Sequence, residues 1–350
     1  MNVKLIFKFL FIFYLLLLSI ALIKNSSLTL SPVFGSYIDN INSEPKLFAL
    51  GWFAASIIQS ASAIVAICAA FLSVKTISLY QAVFILIGAS VGATITALLI
   101  SILLKAKNKK DFRHGFEIGL TNAIYNLFLG GIIFILEFYF KLFSSLGNYF
   151  SLLFGKVEYL QAIPKFLDYL TDWIFYLLQV KDIYIFILGV ALLIISLKIV
   201  SGILLELIGE ENLKGYIHKY FKKKKYSFLT GLLITSCLLS TNITVTLLVP
   251  LAILRLINLF QAIPFIIGAN IGVLMNTLVV VLAVGKPEAL SLIFILLIIR
   301  LLGAVIFLNF PEFLFNITKY ISKTKLHLSR KIAVIILILF IILPLIIILL

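Results

Sequence analysis

Apolar residues in this chain fall into long runs separated by short polar stretches. The runs cover residues 5–23, 47–73, 79–104, 118–140, 183–207, 228–254, 259–284, 289–309 and 332–350. Most reach the roughly 20 residues that a helix needs to cross a bilayer. Runs 47–73 and 228–254 differ from the rest, because each holds a polar cluster near its midpoint. The first has Gln59, Ser60 and Ser62; the second has Ser240, Thr241, Asn242 and Thr244. Two helical arms of about 12 residues, at 1.5 Å per residue, each reach about 18 Å, roughly to the bilayer midplane. The pattern therefore predicts two re-entrant hairpins with polar tips and seven full spans.

The pattern also repeats. Residues 51–98 lie over residues 231–278 without a gap: Gly51 falls on Gly231, Ser60 on Ser240, Gln81 on Gln261, and GASVG (88–92) on GANIG (268–272). Run 5–23 lies 180 residues before 185–203. Each copy reads helix, hairpin, helix, helix. The predicted fold class is an all-α polytopic membrane protein of two inverted-topology repeats plus one extra C-terminal transmembrane helix. The expected divisions are 1–140 (repeat one), 141–182 (an interfacial extracytoplasmic linker), 183–310 (repeat two) and 311–350 (a basic loop and the last span). Internal duplication with polar breaks inside apolar segments is a sequence signature of secondary transporters.

Charge supports the hairpins. Basic residues cluster in 105–117, 208–227 and 310–331, whereas 24–46, 141–182 and 285–288 each balance acidic against basic residues. Nine full spans would put the basic loops on different sides. Two re-entrant hairpins put all three in the cytoplasm, as the positive-inside rule expects. The N-terminus is then cytoplasmic and the C-terminus extracytoplasmic, and the repeats are inverted. Run 5–23, preceded by Lys4 and Lys8, also has the makings of a signal peptide. No small-x-small cleavage site follows it, and the repeat assigns it a structural role.

Composition fits this class. The chain is 63% hydrophobic and 12% charged, against about 45–50% and 25% for a soluble domain. The net charge of +15 resides in the short loops and does not indicate nucleic acid. Cys68 and Cys237 lie inside apolar runs, and nothing is spaced as a zinc or haem site. No nucleophile–base pair marks an enzyme.

The candidate chemistry is concentrated at four breaks. Beyond the two tips, the following helices carry Ser90, Thr94 and Thr96, and Asn270, Asn276 and Thr277. Gly88, Gly92, Gly268 and Gly272 are placed to permit backbone unwinding and close approach to a ligand. The same small residues can instead pack helix on helix. Hydroxyls and amides can coordinate a cation or donate to an anion. Arg300, near the middle of 289–309, is costly there unless it faces partners, water or an anion. Lys198 and Glu206 read as snorkelling residues, Glu137 as interfacial, and Arg255 as the cytoplasmic exit of the second hairpin.

These residues resemble a known family. QSASA (59–63) is similar to the QSSSA signature of the type II sodium-dependent phosphate cotransporters. GASVGATIT (88–96) and GANIG (268–272) are similar to the GANIGTT signature that follows it. The family also places an arginine nine residues before a Phe-Asn pair, and Arg300 lies nine before Asn309; the first repeat offers Glu117 and Tyr125-Asn126 at that place. The chain departs at Leu239, where the second glutamine would stand. It departs also at Ala61, at Ser90, and at Val273 and Leu274. The resemblance implies a divergent member without a PhoU-like domain, in the cell membrane. It implies sodium-coupled symport of inorganic phosphate, with sodium as coupling ion and no cofactor. Ser60, Thr94, Ser240 and Thr241 are the hydroxyls it offers to sodium. An anion export or channel-like pathway and a non-transporting scaffold are the alternatives, and the reading leaves room for a homo-oligomer.

Overall fold

The computed structural model describes residues 3–41, 43–155, 181–221, 223–323 and 330–350, and every regular element among them is a helix. The first half comprises α1 (Val3–Asn40), α2 (Glu44–Ile58), α3 (Ala61–Ser73), α4 (Leu79–Gly92), α5 (Ile95–Leu103) and α6 (Lys109–Phe140), followed by α7 (Leu142–Phe154). The second half comprises α8 (Asp182–Ile208), α9 (Glu210–Tyr220), α10 (Lys224–Leu238), α11 (Thr241–Thr246), α12 (Leu248–Ile253), α13 (Leu259–Gly272), α14 (Leu274–Val284) and α15 (Pro287–Asn309). Last come α16 (Pro311–Lys323) and α17 (Arg330–Leu349). Among the described residues seven segments are long and apolar enough to cross a membrane, and they fall on seven of the nine apolar runs. The chain is a multi-pass membrane protein.

The other two runs are broken at the polar clusters. Gln59 and Leu239 cap α2 and α10 in the left-handed region, at φ 59° and 56°. Ser60 and Ser240 then turn extended, and their hydroxyls accept from the backbone N–H of Ala63 and Ile243. A left-handed C-cap followed by a serine N-cap ends one helix and starts the next. The arms of 15 and 13 residues in the first pair reach about 22 and 20 Å, less than the roughly 30 Å hydrocarbon core. In the second pair the returning arm is further split into α11 and α12. Pro250 lacks an N–H and its ring crowds the carbonyl four residues back.

Both copies carry the same devices 180 residues apart. Ser78 with Gln81, and Asn258 with Gln261, form capping boxes that start α4 and α13. Lys75 and Arg255 both adopt positive φ. The helices α2 and α4 pack as α10 and α13 do, and α1 packs on its counterpart α8.

The glycines explain that packing and correct one expectation. Gly88 lies inside α4 and Gly268 inside α13, while Gly92 and Gly272 are the last residues of those helices. A Cβ at Gly88 would overlap the carbonyl oxygen of Phe48, and one at Gly92 that of Trp52. Gly268 and Gly272 stand the same way over Phe228 and Leu232. These four glycines therefore seat one helix backbone on another instead of unwinding their own. After Gly92 and Gly272 the chain tightens for a turn with near-helical dihedrals, Thr94 N–H donating to Val91 O and Asn276 N–H to Val273 O.

Other readings also change. The first helix extends to Asn40, so much of the expected loop 24–46 is helical. The basic stretches 208–227 and 310–331 contain α9 and α16. Glu137, expected at the outer interface, is fully buried against protein near the end of α6. Its carboxylate accepts from the N–H groups of Phe143 (2.8 Å) and Ser144 (3.2 Å), anchoring the N-terminus of α7. The rest of the expected linker helix region, with Lys156, Glu158, Lys165, Asp168, Asp172 and Trp173, lies outside the described residues.

Side-chain bonds gather the connections into two groups. Thr76 donates to Ser31 (2.7 Å) and Tyr80 to Glu44 (3.0 Å), which brings both termini of the α2–α3 pair to one place. In the other group Arg255, after the second pair, donates through two nitrogens to Asp111 at the start of α6 (3.0 and 2.7 Å). Arg330 donates to the carbonyl of Leu104 (3.2 Å). Glu117, buried on α6, takes Lys319 (2.5 Å) and Ser322 (2.8 Å) from α16.

Candidate substrate-binding site

The two helix breaks meet. A cavity of about 260 Å³ opens between them. Thirteen of the fourteen polar side chains that stand out at the breaks and in run 289–309 line it; the fourteenth, Thr244, is buried and donates to Ser240 O (2.9 Å). Gln59, Ser60 and Ser62 come from the first tip, and Ser240, Thr241 and Asn242 from the second. Ser90, Thr94 and Thr96 come from α4, α5 and the turn between them; Asn270, Asn276 and Thr277 from α13 and α14; Arg300 from α15. The four glycines stay behind this lining, as their packing role requires.

Two sets of hydrogen bonds hold the tips to each other's halves. Asn242 Nδ2 donates to the backbone oxygen of Gln59 (3.0 Å) and to Thr96 Oγ1 (3.3 Å). Asn276 Nδ2 donates to the backbone oxygen of Leu239 (3.0 Å) and to Ser62 Oγ (3.2 Å). Asn242 matches Ser62 and Asn276 matches Thr96 at the 180-residue offset, so the two sets are one arrangement used twice. In each, one asparagine and one hydroxyl have exchanged places. The acceptor at 59 or 239 is backbone, which explains why leucine can occupy the second break. The left-handed cap turns that carbonyl toward the opposite half whatever the side chain.

Arg300 is 7% exposed and is the head of a buried polar chain. Its Nη2 donates to Ser90 Oγ and its Nη1 to Asn126 Oδ1, both at 2.8 Å. Asn126 Nδ2 donates to the backbone oxygen of Asn122 (2.9 Å), and Asn270 Nδ2 to Asn122 Oδ1 (3.0 Å). Both halves are thus tied through one guanidinium. A buried cation needs hydrogen-bonded compensation, and here neutral acceptors supply it. Among the described residues no carboxylate pairs with Arg300, and none lines the cavity.

Four further polar residues line the cavity that the sequence reading does not place in the site. Asn122 and Asn126 lie four apart in run 118–140, a spacing that puts them on one helix face. That spacing is legible in the sequence, where Asn126 enters only through the Tyr125-Asn126 pair of the first half. Lys198 and Ser201 on α8 also line the cavity. Lys198 therefore has a cavity to face, and the reading of it as a simple snorkelling residue is revised.

Of the four hydroxyls offered to sodium, Ser60 and Ser240 are N-caps. Thr94 donates to Val91 O (2.6 Å), and Thr241 to Ala269 O (3.4 Å). Each keeps oxygen lone pairs for another contact. Asn276 Oδ1 is buried and has no hydrogen-bond donor among the described residues.

A duplicated helical membrane protein with a polar cavity between its broken segments belongs to the architectural class of secondary transporters. The family comparison agrees. The family of Na+/Pi-cotransporters matches residues 10–161 and 179–342, and the chain belongs to it. This is a family of transporters, not of enzymes. No curated protein and no solved structure matches the chain.

Proposed function

We propose that the protein is a sodium-coupled symporter of inorganic phosphate in the cell membrane, holding its substrate at mid-membrane between two re-entrant hairpin tips. The repeats are inverted in topology, with the divisions expected from the sequence. The N-terminus lies in the cytoplasm and the C-terminus outside. The observation that carries the reading is the lining of the cavity. It offers a buried guanidinium, hydroxyls and amides from both halves, and, among the described residues, no acidic group. A guanidinium has five N–H donors in a fixed fork that suits oxyanions, and Arg300 commits only two nitrogens to Ser90 and Asn126. Hydroxyls of Ser60, Thr94, Ser240 and Thr241 are the oxygen donors for sodium, with Asn276 Oδ1 a further oxygen free to join them. Counterflow of labelled phosphate in proteoliposomes tests the whole reading. Uptake that depends on sodium is expected. Phosphate counterflow without sodium dependence would remove the coupling, and no counterflow at all would favour a scaffold that kept the fold.

Topology is testable apart from transport. In a background with Cys68 and Cys237 replaced, cysteines at Lys75 and Lys286 are expected to react with an impermeant thiol reagent added outside intact cells. A cysteine at Lys107 is expected to react only after permeabilisation. Protection of position 75 from outside would overturn the re-entrant hairpin.

The two tips are expected to differ in their side chains. Gln59→Leu removes an amide donor and acceptor from the cavity but leaves the backbone bond to Asn242 in place. A lost buried polar contact costs about 1–3 kcal/mol, roughly 5- to 150-fold in affinity. Leu239→Gln adds an amide where a leucine already lines the cavity and is expected to be tolerated. Uptake normalised to membrane expression distinguishes the pair; full activity of Gln59→Leu would show that only the backbone at this break matters.

A further inference from the structure

We infer that Lys198 is a second cation of the substrate site and sets its preference for doubly charged oxyanions. The inference rests on the cavity being an anion site. Ile194, Leu197, Lys198 and Ser201 all line the cavity. Their spacing of i, i+3, i+4 and i+7 is one face of α8, so the face that carries the lysine is the face that meets the cavity. A lysine that merely snorkels needs no such placement. Among the described residues Lys198 has no ion pair, and its side chain is exposed. Its ammonium is thus available, whereas Arg300 is buried and held by two hydrogen bonds.

The pseudo-symmetry sharpens the point. The residue matching Lys198 in the first half is Leu18, which is buried among apolar neighbours. The residue matching Arg300 is Leu120, also buried. Both cations therefore come from the second half, while the glutamine of the first tip has no partner there. With two cations and, among the described residues, no carboxylate in its lining, the cavity carries about two positive charges. A singly charged anion leaves one of them uncompensated in a low-dielectric setting; a doubly charged anion neutralises both. Arg300 supplies the fixed, directional contacts. Lys198, a flexible point charge on a long stem, can follow the anion as it enters.

The test is equilibrium binding to the purified full-length chain at fixed sodium. Labelled phosphate is displaced by sulfate, which is doubly charged, or by dimethyl phosphate, which is singly charged. Each competitor is compared with itself in wild type and variant, so differences in their size cancel. Lys198→Gln is expected to weaken sulfate by about 10-fold while changing dimethyl phosphate less than about 3-fold. Lys198→Arg is expected to restore most of the sulfate affinity, which a variant failing for structural reasons would not do. Unchanged sulfate affinity in Lys198→Gln, or equal loss for both competitors, would overturn the role of Lys198 with the anion site intact. Failure of the wild type to bind phosphate or sulfate would instead overturn the anion site itself.

Discussion

Replacing Arg300 by methionine is expected to abolish measurable phosphate uptake while the protein still reaches the membrane. Methionine is similar in length and apolar, so it fills the space and removes a costly buried charge. It supplies no donor to Ser90 Oγ or Asn126 Oδ1, and none to an anion. Truncating a buried, hydrogen-bonded charge that meets an opposite charge costs about 2–5 kcal/mol, roughly 30- to 5,000-fold in affinity. Arg300→Lys is expected to recover only part of this, since an ammonium cannot reach both acceptors and keep a fork for the substrate. Binding of labelled phosphate to purified variants, alongside thermal melting, checks the assignment. Wild-type binding by Arg300→Met would make the arginine a structural strut.

The other large effect is on folding. Gly88→Val is expected to destabilise the fold sharply, because its Cβ overlaps the backbone oxygen of Phe48. Backbone cannot yield as a side-chain tip can, so α2 and α4 must part. Overpacking in a close contact costs about 1–3 kcal/mol and at times more, and a backbone obstacle belongs at the upper end. Gly131→Ala on α6 is the control. Nothing lies within 4 Å of a Cβ there, and alanine is the better helix former. Melting temperature in detergent should fall sharply for the first and hold or rise slightly for the second. A Gly88→Val protein that melts like wild type would mean that this helix contact is not as close as described.

Much of this protein was legible in one dimension. Polar residues inside an apolar run are conspicuous, because lipid offers them nothing. That is why QSAS, STN and the positions around GASVG and GANIG stand out, and thirteen of the polar side chains so marked, Arg300 among them, share one cavity. The 180-residue register was equally plain, since two copies of a pattern can be laid over each other without knowing what either does. The serine N-caps at 60 and 240 even marked where the helices break.

What the pattern could not say is which way each small or polar residue looks. GxxxG serves a ligand and a neighbouring helix equally well, and only the nearness of Phe48 and Trp52 backbone assigned Gly88 and Gly92 to the helix. A lysine or glutamate in a run can snorkel, cap or line a cavity. Glu137 caps α7 and Lys198 faces the cavity, because of what α7 and the two helix breaks bring near them in space. The exchange of Asn242 with Ser62, and of Asn276 with Thr96, shows the same division. Each residue was visible as polar in its run. That the two asparagines answer the backbone oxygens of residues 59 and 239 across the molecule depends on the halves packing tip against tip. The sequence by itself determined the spans, the breaks and the inventory of polar groups, because those follow from the chain's own contact with lipid and its own helical spacing. The tertiary structure decided partners and roles, because a hydrogen bond or a close contact depends on what another segment places opposite.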